Sequence, residues 1–374
     1  MSLSISRRRF LRRTAATAGA AALGSPAVAR AQGPVVLRCQ STWAEKTLFH
    51  EYAADFVRKV NDMAGGDLRI DLLPAGAVAA ASGLLDSVNK GTLDGGHGMF
   101  IHHYAKHHAL ALWGSGPAFG MDANLLLAWH KYGGGRQLLA KLYAAIGADV
   151  VSFPYGPMPT QPLGWFHKPI GSVADFKGLA FRTDGMAIDV FTGLGAVVNA
   201  LPARDIAGAM QRGLLQGAEF NNASADRMLG LPEVAKVCML QSYHQSAEQF
   251  EIVFNKTKFE ALPPKLKAII ENAVEAASAD MAWKAIDRYS RDHQELRGAG
   301  KVRMLKTPDA VLARQLEAYD AAAAKRRNNA LFREIEDSQR RFAERAVRWQ
   351  LDTQVGPRIA FNHYFARQPA ARKK

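Results

Sequence analysis

The sequence predicts an α/β protein with two lobes of similar architecture, a long bracing helix and further C-terminal helices. Three observations support this prediction. Strands and helices alternate from Val35 to Gly91. A helix–glycine–strand pattern over Leu84–Gly96 returns over Ile206–Ala218. From Pro263 onward, apolar residues recur at the spacings of three and four that are typical of helices.

The alternation begins with a buried strand at Val35–Cys39. A helical pattern then runs from Leu48 to Val60 and stops at two glycines, residues 65 and 66. Residues 68–72 alternate as a strand, and a short helix over 84–88 follows. This order predicts a mainly parallel sheet covered by helices.

The repeated pattern predicts how the chain divides. Each unit has an amphipathic helix, a basic residue, a glycine at the helix end, and a leucine that enters a short strand. We predict lobe I over residues 32–153 with part of 246–300, and lobe II over 154–245. The alternative is a chance match, because helix–glycine–strand junctions are common.

The C-terminal third is predicted to be helical. Residues 263–298 form a helical pattern roughly 50 Å long at 1.5 Å per residue, which is long enough to brace both lobes. Residues 307–366 form further helices with a wide apolar face. Packing against the body of the chain and formation of a homodimer are both open for this face. Its members in the last predicted helix are Leu331, Ile335, Phe342, Ala346 and Trp349.

Residues 1–31 have the pattern of a removable export signal. Arg7 and Arg8 begin a basic segment that continues into Phe-Leu, as in twin-arginine signals, and a short apolar stretch ends in Ala-Arg-Ala at residues 29–31. A membrane anchor is the alternative, but it needs about 20 strongly apolar residues. We therefore expect cleavage after Ala31 and a periplasmic protein that begins at Gln32.

The charge of the chain excludes some partners. The formal net charge is +14, and six of the 48 basic residues but none of the 34 acids lie in residues 1–31. The remaining excess of about +8 favours anionic small molecules. The chain has no interleaved basic and aromatic motif of a nucleic-acid-binding protein, so we expect no nucleic-acid partner.

The two cysteines, Cys39 and Cys238, have apolar neighbours in the sequence. An oxidising periplasm permits a disulfide between them. Two buried free thiols are the favoured interpretation.

Sequence motifs of the common enzyme classes are missing. The chain has no G-x-S-x-G elbow, Walker loop or H-E-x-x-H motif. His103 and His107 have the spacing of a zinc pair on one helical face, but no third ligand is evident. We favour a polar loop at the mouth of a cleft over a catalytic metal site.

Two strand ends carry polar residues suited to a ligand. Arg182 ends an apolar strand, where a guanidinium can grip a carboxylate with two hydrogen bonds; a surface salt bridge is the alternative. Glu219 ends the second strand of the repeat and is followed by Phe220, Asn221 and Asn222. These oxygen donors suit a hard cation. The alternative is a helix cap or turn formed by the two asparagines.

Several stretches together resemble the extracytoplasmic solute receptors of tripartite ATP-independent periplasmic (TRAP) transporters, the DctP-like family. The similarity is greatest to the branch that binds 2-oxoacids and related monocarboxylates, and it extends over nearly the whole chain after the signal. The stretches that carry it are residues 91–94, 129–135, 161–166, 178–182 and 217–220.

The resemblance implies a clamshell of two α/β lobes closed by a hinge. It implies that Arg182 fixes the ligand carboxylate, and that calcium or sodium bridges ligand and protein through Gln161, Glu219 and the carbonyl of Phe220. A further acidic ligand of the family falls near Gln245, an amide in this chain, so the site has one negative charge fewer.

Asn222 and His103 complete the predicted ligand-binding residues. His102 and His103 stand where the branch has aromatic residues, which predicts a more polar pocket.

The function that follows is a periplasmic receptor without catalysis, which passes a small organic acid to membrane permease subunits. A periplasmic enzyme on the same two-lobe fold and a receptor for a signalling partner are the alternatives. The missing nucleophile–base signature and the family resemblance favour the transport receptor.

Overall fold

The computed structural model of the chain describes residues 33–365. The predicted signal peptide therefore lies outside the described residues. The strands are β1 (Val35–Ser41), β2 (Leu68–Leu73), β3 (Gly95–Met99), β4 (Val150–Pro157), β5 (Gly164–Phe166), β6 (Ala180–Arg182), β7 (Val197–Asn199), β8 (Gly217–Ala218), β9 (Val237–Met239), β10 (Gln249–Asn255) and β11 (Arg303–Leu305).

Helices cover these strands and form the C-terminal part. They are α1 (Leu48–Ala64), α2 (Leu84–Asn89), α3 (Ala123–Tyr132), α4 (Gly135–Ala145), α5 (Ala187–Gly193), α6 (Ala203–Gln211), α7 (Ala223–Met228), α8 (Leu231–Val234), α9 (Lys256–Glu260), α10 (Pro264–Gly298), α11 (Asp309–Ala324), α12 (Ala330–Thr353) and α13 (Pro357–Phe365). Short 3₁₀ helices occupy Ala81–Gly83, Phe100–His103, His108–Trp113, Ala118–Gly120 and Val173–Phe176.

The strands form two sheets. The first has the order β2-β1-β3-β10-β4 and the second has the order β11-β9-β5-β8-β6-β7. We call each sheet with its covering helices the first-sheet region and the second-sheet region. β4 extends to Pro157, past the boundary predicted at residue 153. The exact limits of the lobes stay a prediction.

Both sheets are mixed, so the prediction of a mainly parallel sheet was wrong in part. β1 and β3 are parallel, but β10 is antiparallel to both β3 and β4. β10 follows a segment of the second-sheet region instead of a crossover helix on its own sheet, and antiparallel entry needs no such helix.

The repeated sequence pattern corresponds to a repeated structure. α2 leads into β3 through Gly91, and α6 leads into β8 through Gly213; both glycines have a φ of 73°. This left-handed conformation favours glycine because it has no Cβ. At Gly217 in β8, an added Cβ would lie 2.5 Å from the Phe166 ring, so only glycine fits between the packed strands.

Helix α10 confirms the predicted long helix. It has 35 residues, which corresponds to roughly 50 Å. Asp280 accepts a salt bridge from Lys59 of α1 at 2.8 Å, and Asp292 accepts one from Arg227 of α7 at 3.2 Å. The helix thus contacts a helix of each region.

The C-terminal helices divide into a buried part and an exposed part. Phe332 and Ile335 of α12 are completely buried in the chain's own core. Trp349, near the end of α12, is 63% exposed. Packing against the body of the chain therefore accounts for the first half of the predicted apolar face and leaves the second half uncovered.

Cys39 lies in β1 of the first sheet and Cys238 in β9 of the second, and both are buried and free. The favoured prediction of two free thiols is confirmed. Within residues 33–365, none of the helices combines the length and apolar character needed to cross a membrane.

Candidate functional site

Arg182 is the last residue of β6, and its guanidinium is buried at the carboxyl end of the second sheet. Nε donates to the carbonyl oxygen of Leu201 at 3.0 Å. Nη1 donates to both the carbonyl oxygen and Oε1 of Glu219, each at 3.0 Å. The strand end predicted for Arg182 is thus correct, and its alternative of a surface salt bridge does not fit the burial.

The guanidinium has one nitrogen left for a ligand. Oδ2 of Asp184 lies 3.9 Å from Nη2, beyond hydrogen-bonding distance. Because Nε and both hydrogens of Nη1 already have protein acceptors, the expected two-nitrogen grip on a carboxylate is not available in this conformation. Nη2 is therefore the guanidinium nitrogen without a hydrogen-bond acceptor among the described residues.

Glu219 follows β8 and is 2% exposed. Its Oε2 lies 3.7 Å from Nε2 of His244. Burial alone raises the pKa of Glu219, but the Arg182 charge and contacts with His244 and Thr183 outweigh it, so the pKa is lowered. The carboxylate is therefore ionised next to a fixed positive charge.

A chain of buried polar groups supports Glu219 from behind. His244 Nδ1 lies 2.6 Å from Oγ of Ser242, which accepts a hydrogen bond from Nε2 of Gln315 at 2.8 Å. Oε1 of Gln315 accepts the backbone N–H of Tyr243 at 2.9 Å. Helix α11 thus holds the segment that brings His244 to the site.

Gln161 and Gln245 meet in the connection between the two sheets. The backbone N–H of Gln161 donates to the carbonyl oxygen of Gln245 at 3.3 Å. The two side chains are 1% and 4% exposed, and their Oε1 atoms have no hydrogen-bond partner among the described residues. Two buried amide oxygens are therefore available to a cation.

Asn222 serves as the N-cap of α7. Its Oδ1 accepts from the backbone N–H groups of Ser224 and Ala225 at 3.1 and 3.0 Å. The capping alternative therefore describes this side chain, which differs from its predicted role in ligand binding. Phe220 lies beside it, and its ring stacks on Phe49 of α1 with centroids 6.0 Å apart.

Glu248 is a buried acid that sequence reasoning missed. Its Oε2 accepts hydrogen bonds from Nε2 of Gln161 and, at 3.2 Å, from Nδ2 of Asn221. Burial and the nearby Glu219 charge raise its pKa well above the ordinary range. The available signal was an acid that directly precedes the strand β10.

His103 lies elsewhere. Its Nε2 is 3.2 Å from Oε2 of Glu251 in β10, and both side chains are buried. No described contact joins it to Arg182 or Glu219. We therefore assign His103 to the core of the first-sheet region and not to the ligand-binding residues.

The histidine run does not form the helical zinc pair. His103 ends one 3₁₀ helix, whereas His107 caps the next and accepts the backbone N–H of Ala109. Residues 33–365 contain no group of three or more His, Cys, Asp or Glu side chains arranged to hold a metal.

The predicted cation ligands are of a different kind. They comprise one carboxylate, amide oxygens and a backbone carbonyl, which are the donors that calcium and sodium accept. Gln161 and Gln245 contribute unpartnered buried oxygens, and His244, which directly precedes Gln245, lies 3.7 Å from the ionised Glu219. This donor chemistry fits such a cation.

Comparison with known proteins gives consistent relatives. The DctP model, described as bacterial extracellular solute-binding protein, family 7, matches residues 39–328. A monocarboxylate 2-oxoacid-binding periplasmic protein of Nostoc is 27% identical over 316 residues, covering 83% of this chain and 85% of the relative.

Solved structures agree with this match. A TRAP transporter solute-binding protein from Bordetella bronchiseptica, a dimer with calcium and picolinate, has a TM-score of 0.81 at 26% identity, covering 89% of this chain and 97% of its own. One from Colwellia psychrerythraea with calcium and pyruvate has a TM-score of 0.82 at 25% identity, covering 88% and 100%. One from Pseudoalteromonas atlantica with sodium and pyruvate has a TM-score of 0.80 at 25% identity, covering 89% and 99%. The predicted two-lobe α/β fold is confirmed.

Proposed function

The chain belongs to family 7 of the bacterial extracellular solute-binding proteins, and from this premise we propose that it captures a small monocarboxylate such as pyruvate. Its family and structural relatives are receptors and not enzymes. In this proposal calcium or sodium joins the ligand to the protein, and the loaded receptor delivers the acid to TRAP permease subunits.

The observation that carries the proposal is the Arg182–Glu219 pair at the end of the second sheet. Nη2 of Arg182 offers a positive donor to a carboxylate, while Glu219 repels the same anion. A cation between Glu219 and the ligand removes that repulsion and has two buried amide oxygens within the same site. The relatives from Colwellia and Pseudoalteromonas bind pyruvate together with such a cation.

The proposal predicts that pyruvate binding depends on the cation. Chelator-treated protein should bind pyruvate at least about tenfold more weakly than protein with calcium or sodium, because the anion then faces Glu219 directly. Glu219→Gln should lose most of the cation dependence. Isothermal titration calorimetry with pyruvate measures both effects.

Glu233→Gln, an exposed acid of the same region, serves as the control and should bind like the unaltered protein. If neither Glu219→Gln nor metal removal changes the pyruvate affinity of the unaltered protein, the cation bridge is excluded and Glu219 only orients Arg182.

The periplasmic location rests on the export pattern in residues 1–31 and on the periplasmic relatives. The mass of the protein purified from periplasm should correspond to a chain that begins at Gln32. Replacing Arg7 and Arg8 by lysine should block export. A periplasmic mass that includes residues 1–31 would contradict cleavage.

A homodimer through the C-terminal helices also belongs to the proposal. The end of α12 and all of α13 carry exposed apolar side chains, and the Bordetella relative is a dimer. Sedimentation of the protein should show a dimer that becomes a monomer when the chain ends at Gly356. A monomer at micromolar concentration in the full-length protein would exclude it. The exposed apolar side chains that would form the dimer contact are Trp349, Leu351, Val355, Ile359, Phe361, Tyr364 and Phe365.

A further inference from the structure

Glu248 lies directly behind the proposed cation site, in the segment that leads from Gln245 into β10. It is 4% exposed, and its carbonyl oxygen accepts the backbone N–H of Met158 at 3.0 Å. Its side chain packs over Gly114, where an added Cβ would lie 3.3 Å from Cγ of Glu248. Backbone and side chain are thus both fixed.

One oxygen of Glu248 holds two amides from different parts of the chain. Oε2 accepts from Nε2 of Gln161, which precedes β5, and from Nδ2 of Asn221, which follows β8. The amide groups of Gln161 and Asn221 therefore both donate to the carboxyl group of Glu248. The acid therefore joins the two segments that supply the proposed neutral cation ligands.

The orientation of an amide follows from its acceptor. The nitrogen of Gln161 faces Glu248, so its Oε1 must point to the opposite side of the planar amide group. That oxygen is buried and has no partner among the described residues. Buried polar atoms in native proteins normally have a partner, and this one is free for a ligand.

Asp226 has a parallel effect on the backbone. Its Oδ1 accepts the N–H of Asn221 at 3.0 Å. This N–H belongs to the same planar trans peptide group as the carbonyl of Phe220, so fixing one directs the other the opposite way. A second buried acid thus orients the second neutral oxygen of the proposed site.

We propose that Glu248 is a positioning residue, which turns the oxygen of Gln161 toward the cation without binding the cation itself. This inference rests on the proposed function, because it assumes the cation. Partners that orient metal ligands typically change metal affinity 10- to 100-fold when they are removed.

The test compares two substitutions by calcium titration followed by calorimetry with pyruvate. Glu248→Gln keeps an oxygen that can accept from both Gln161 and Asn221, so calcium affinity should stay within about threefold of the unaltered protein. Glu248→Met keeps the length of the side chain but not the acceptor, so calcium affinity should fall about 10- to 100-fold. Thermal unfolding in chelator should show that both variants fold.

A double variant distinguishes a loss of calcium affinity that arises through Gln161 from a loss caused by unrelated disruption in Glu248→Met. If Glu248 acts through Gln161, adding Glu248→Met to Gln161→Leu should cause little further loss of calcium affinity. A full additional loss would overturn the inference.

Further outcomes separate this inference from the proposed function. Equal calcium affinity in Glu248→Met and the unaltered protein overturns the inference alone. If calcium affinity falls as much in Glu248→Gln as in Glu248→Met, the inference is also overturned. The effect would then depend on the charge of the carboxylate and not on its ability to accept hydrogen bonds. If the unaltered protein binds pyruvate without any cation, the proposed cation and the inference fail together.

Discussion

Glu219 and Glu251 are two buried carboxylates with a basic partner, and they lie in different regions. Oε1 of Glu219 is 3.0 Å from Nη1 of Arg182 in the second-sheet region. Oε2 of Glu251 is 3.2 Å from Nε2 of His103 in the first-sheet region. The exposed fractions of the two acids are 2% and 1%, so burial and pairing alone do not distinguish them.

Their positions in the sheets differ. Glu219 directly follows β8, at the edge where parallel strands present their carboxyl ends. Glu251 lies in the middle of β10, between Gly98 of β3 and Pro154 of β4, and accepts hydrogen bonds from core hydroxyls. The strand end leaves donors and acceptors for a ligand, whereas the carboxyl group at the strand centre is used by hydroxyl groups of the core.

The largest effect that tests this comparison is on ligand affinity. Arg182→Ala should weaken pyruvate binding by about 2–5 kcal/mol, because it removes the charged partner of a buried anion. This is roughly 30-fold to several-thousand-fold in affinity. Arg182→Lys should also bind poorly, since lysine cannot contact Leu201, Glu219 and the ligand together. Calorimetry measures both variants.

The matched control is Arg212→Ala, an exposed arginine of the same region, which should bind normally. Normal pyruvate binding by Arg182→Ala would exclude the carboxyl end of the second sheet as the binding site.

The next effect is on stability. Glu251→Ala should lower the free energy of unfolding by about 1–3 kcal/mol, because it leaves the Tyr143 hydroxyl and the His103 ring without their buried partner. Pyruvate affinity should change less than about twofold. Urea unfolding and calorimetry give the two values, and exposed Glu260→Ala should change neither. Marked weakening of pyruvate binding in Glu251→Ala would indicate that His103 belongs to the binding site, as the sequence predicted.

The remaining effect is on the pH dependence of stability, which should differ in sign between the regions. Burial lowers the pKa of His97, His102 and His130 to about 3. Their stabilising contribution is therefore complete above the ordinary value near 6.5 and is lost as the pH falls. Burial raises the pKa of Asp226 in the second-sheet region to about 7. Its contribution is complete below the ordinary carboxyl value and is lost as the pH rises through 7.

Each group changes stability by at most about 1.4 kcal/mol per pH unit. Three histidines with lowered pKa values outweigh the two acids with raised pKa values, Asp226 and Glu248, so stability in chelator should rise from pH 5 to about 6.5 and then decline slightly near pH 7. His130→Gln should reduce the acid slope, and Asp226→Asn should reduce the decline near pH 7. Urea unfolding across this range checks both, and a stability that rises steadily to pH 8 would contradict the assignment of Asp226.

Features that depend on local sequence could be predicted. Helical periodicity fixed the long helix to within a residue of Pro264–Gly298, and the repeat led to matching glycine turns. Arg182 and Glu219 were found because strand ends are visible as apolar runs that stop. Their direct pairing removes half of the expected grip on a carboxylate.

Features that depend on distant contacts could not be predicted. His244 and Glu248 belong to a connecting segment whose course is set by Gly116, with which Gln245 forms a bridge, and by Gln315 of α11. Gly116 lies so close to Tyr319 that an added Cβ would be 2.1 Å from its ring. No periodicity in the sequence reports such a contact.

The stacking of Phe49 on Phe220 has a kinetic consequence. Phe49 belongs to α1 of the first-sheet region and Phe220 follows β8 of the second, beside an Arg182 that is only 7% exposed. We expect a solute to reach this guanidinium only after the two rings separate. The observed rate of binding should then level off at high pyruvate concentration, at the rate at which the aromatic contact opens. We also expect this opening to limit release, so that two phenylalanines that need not touch the solute would set the lifetime of the complex.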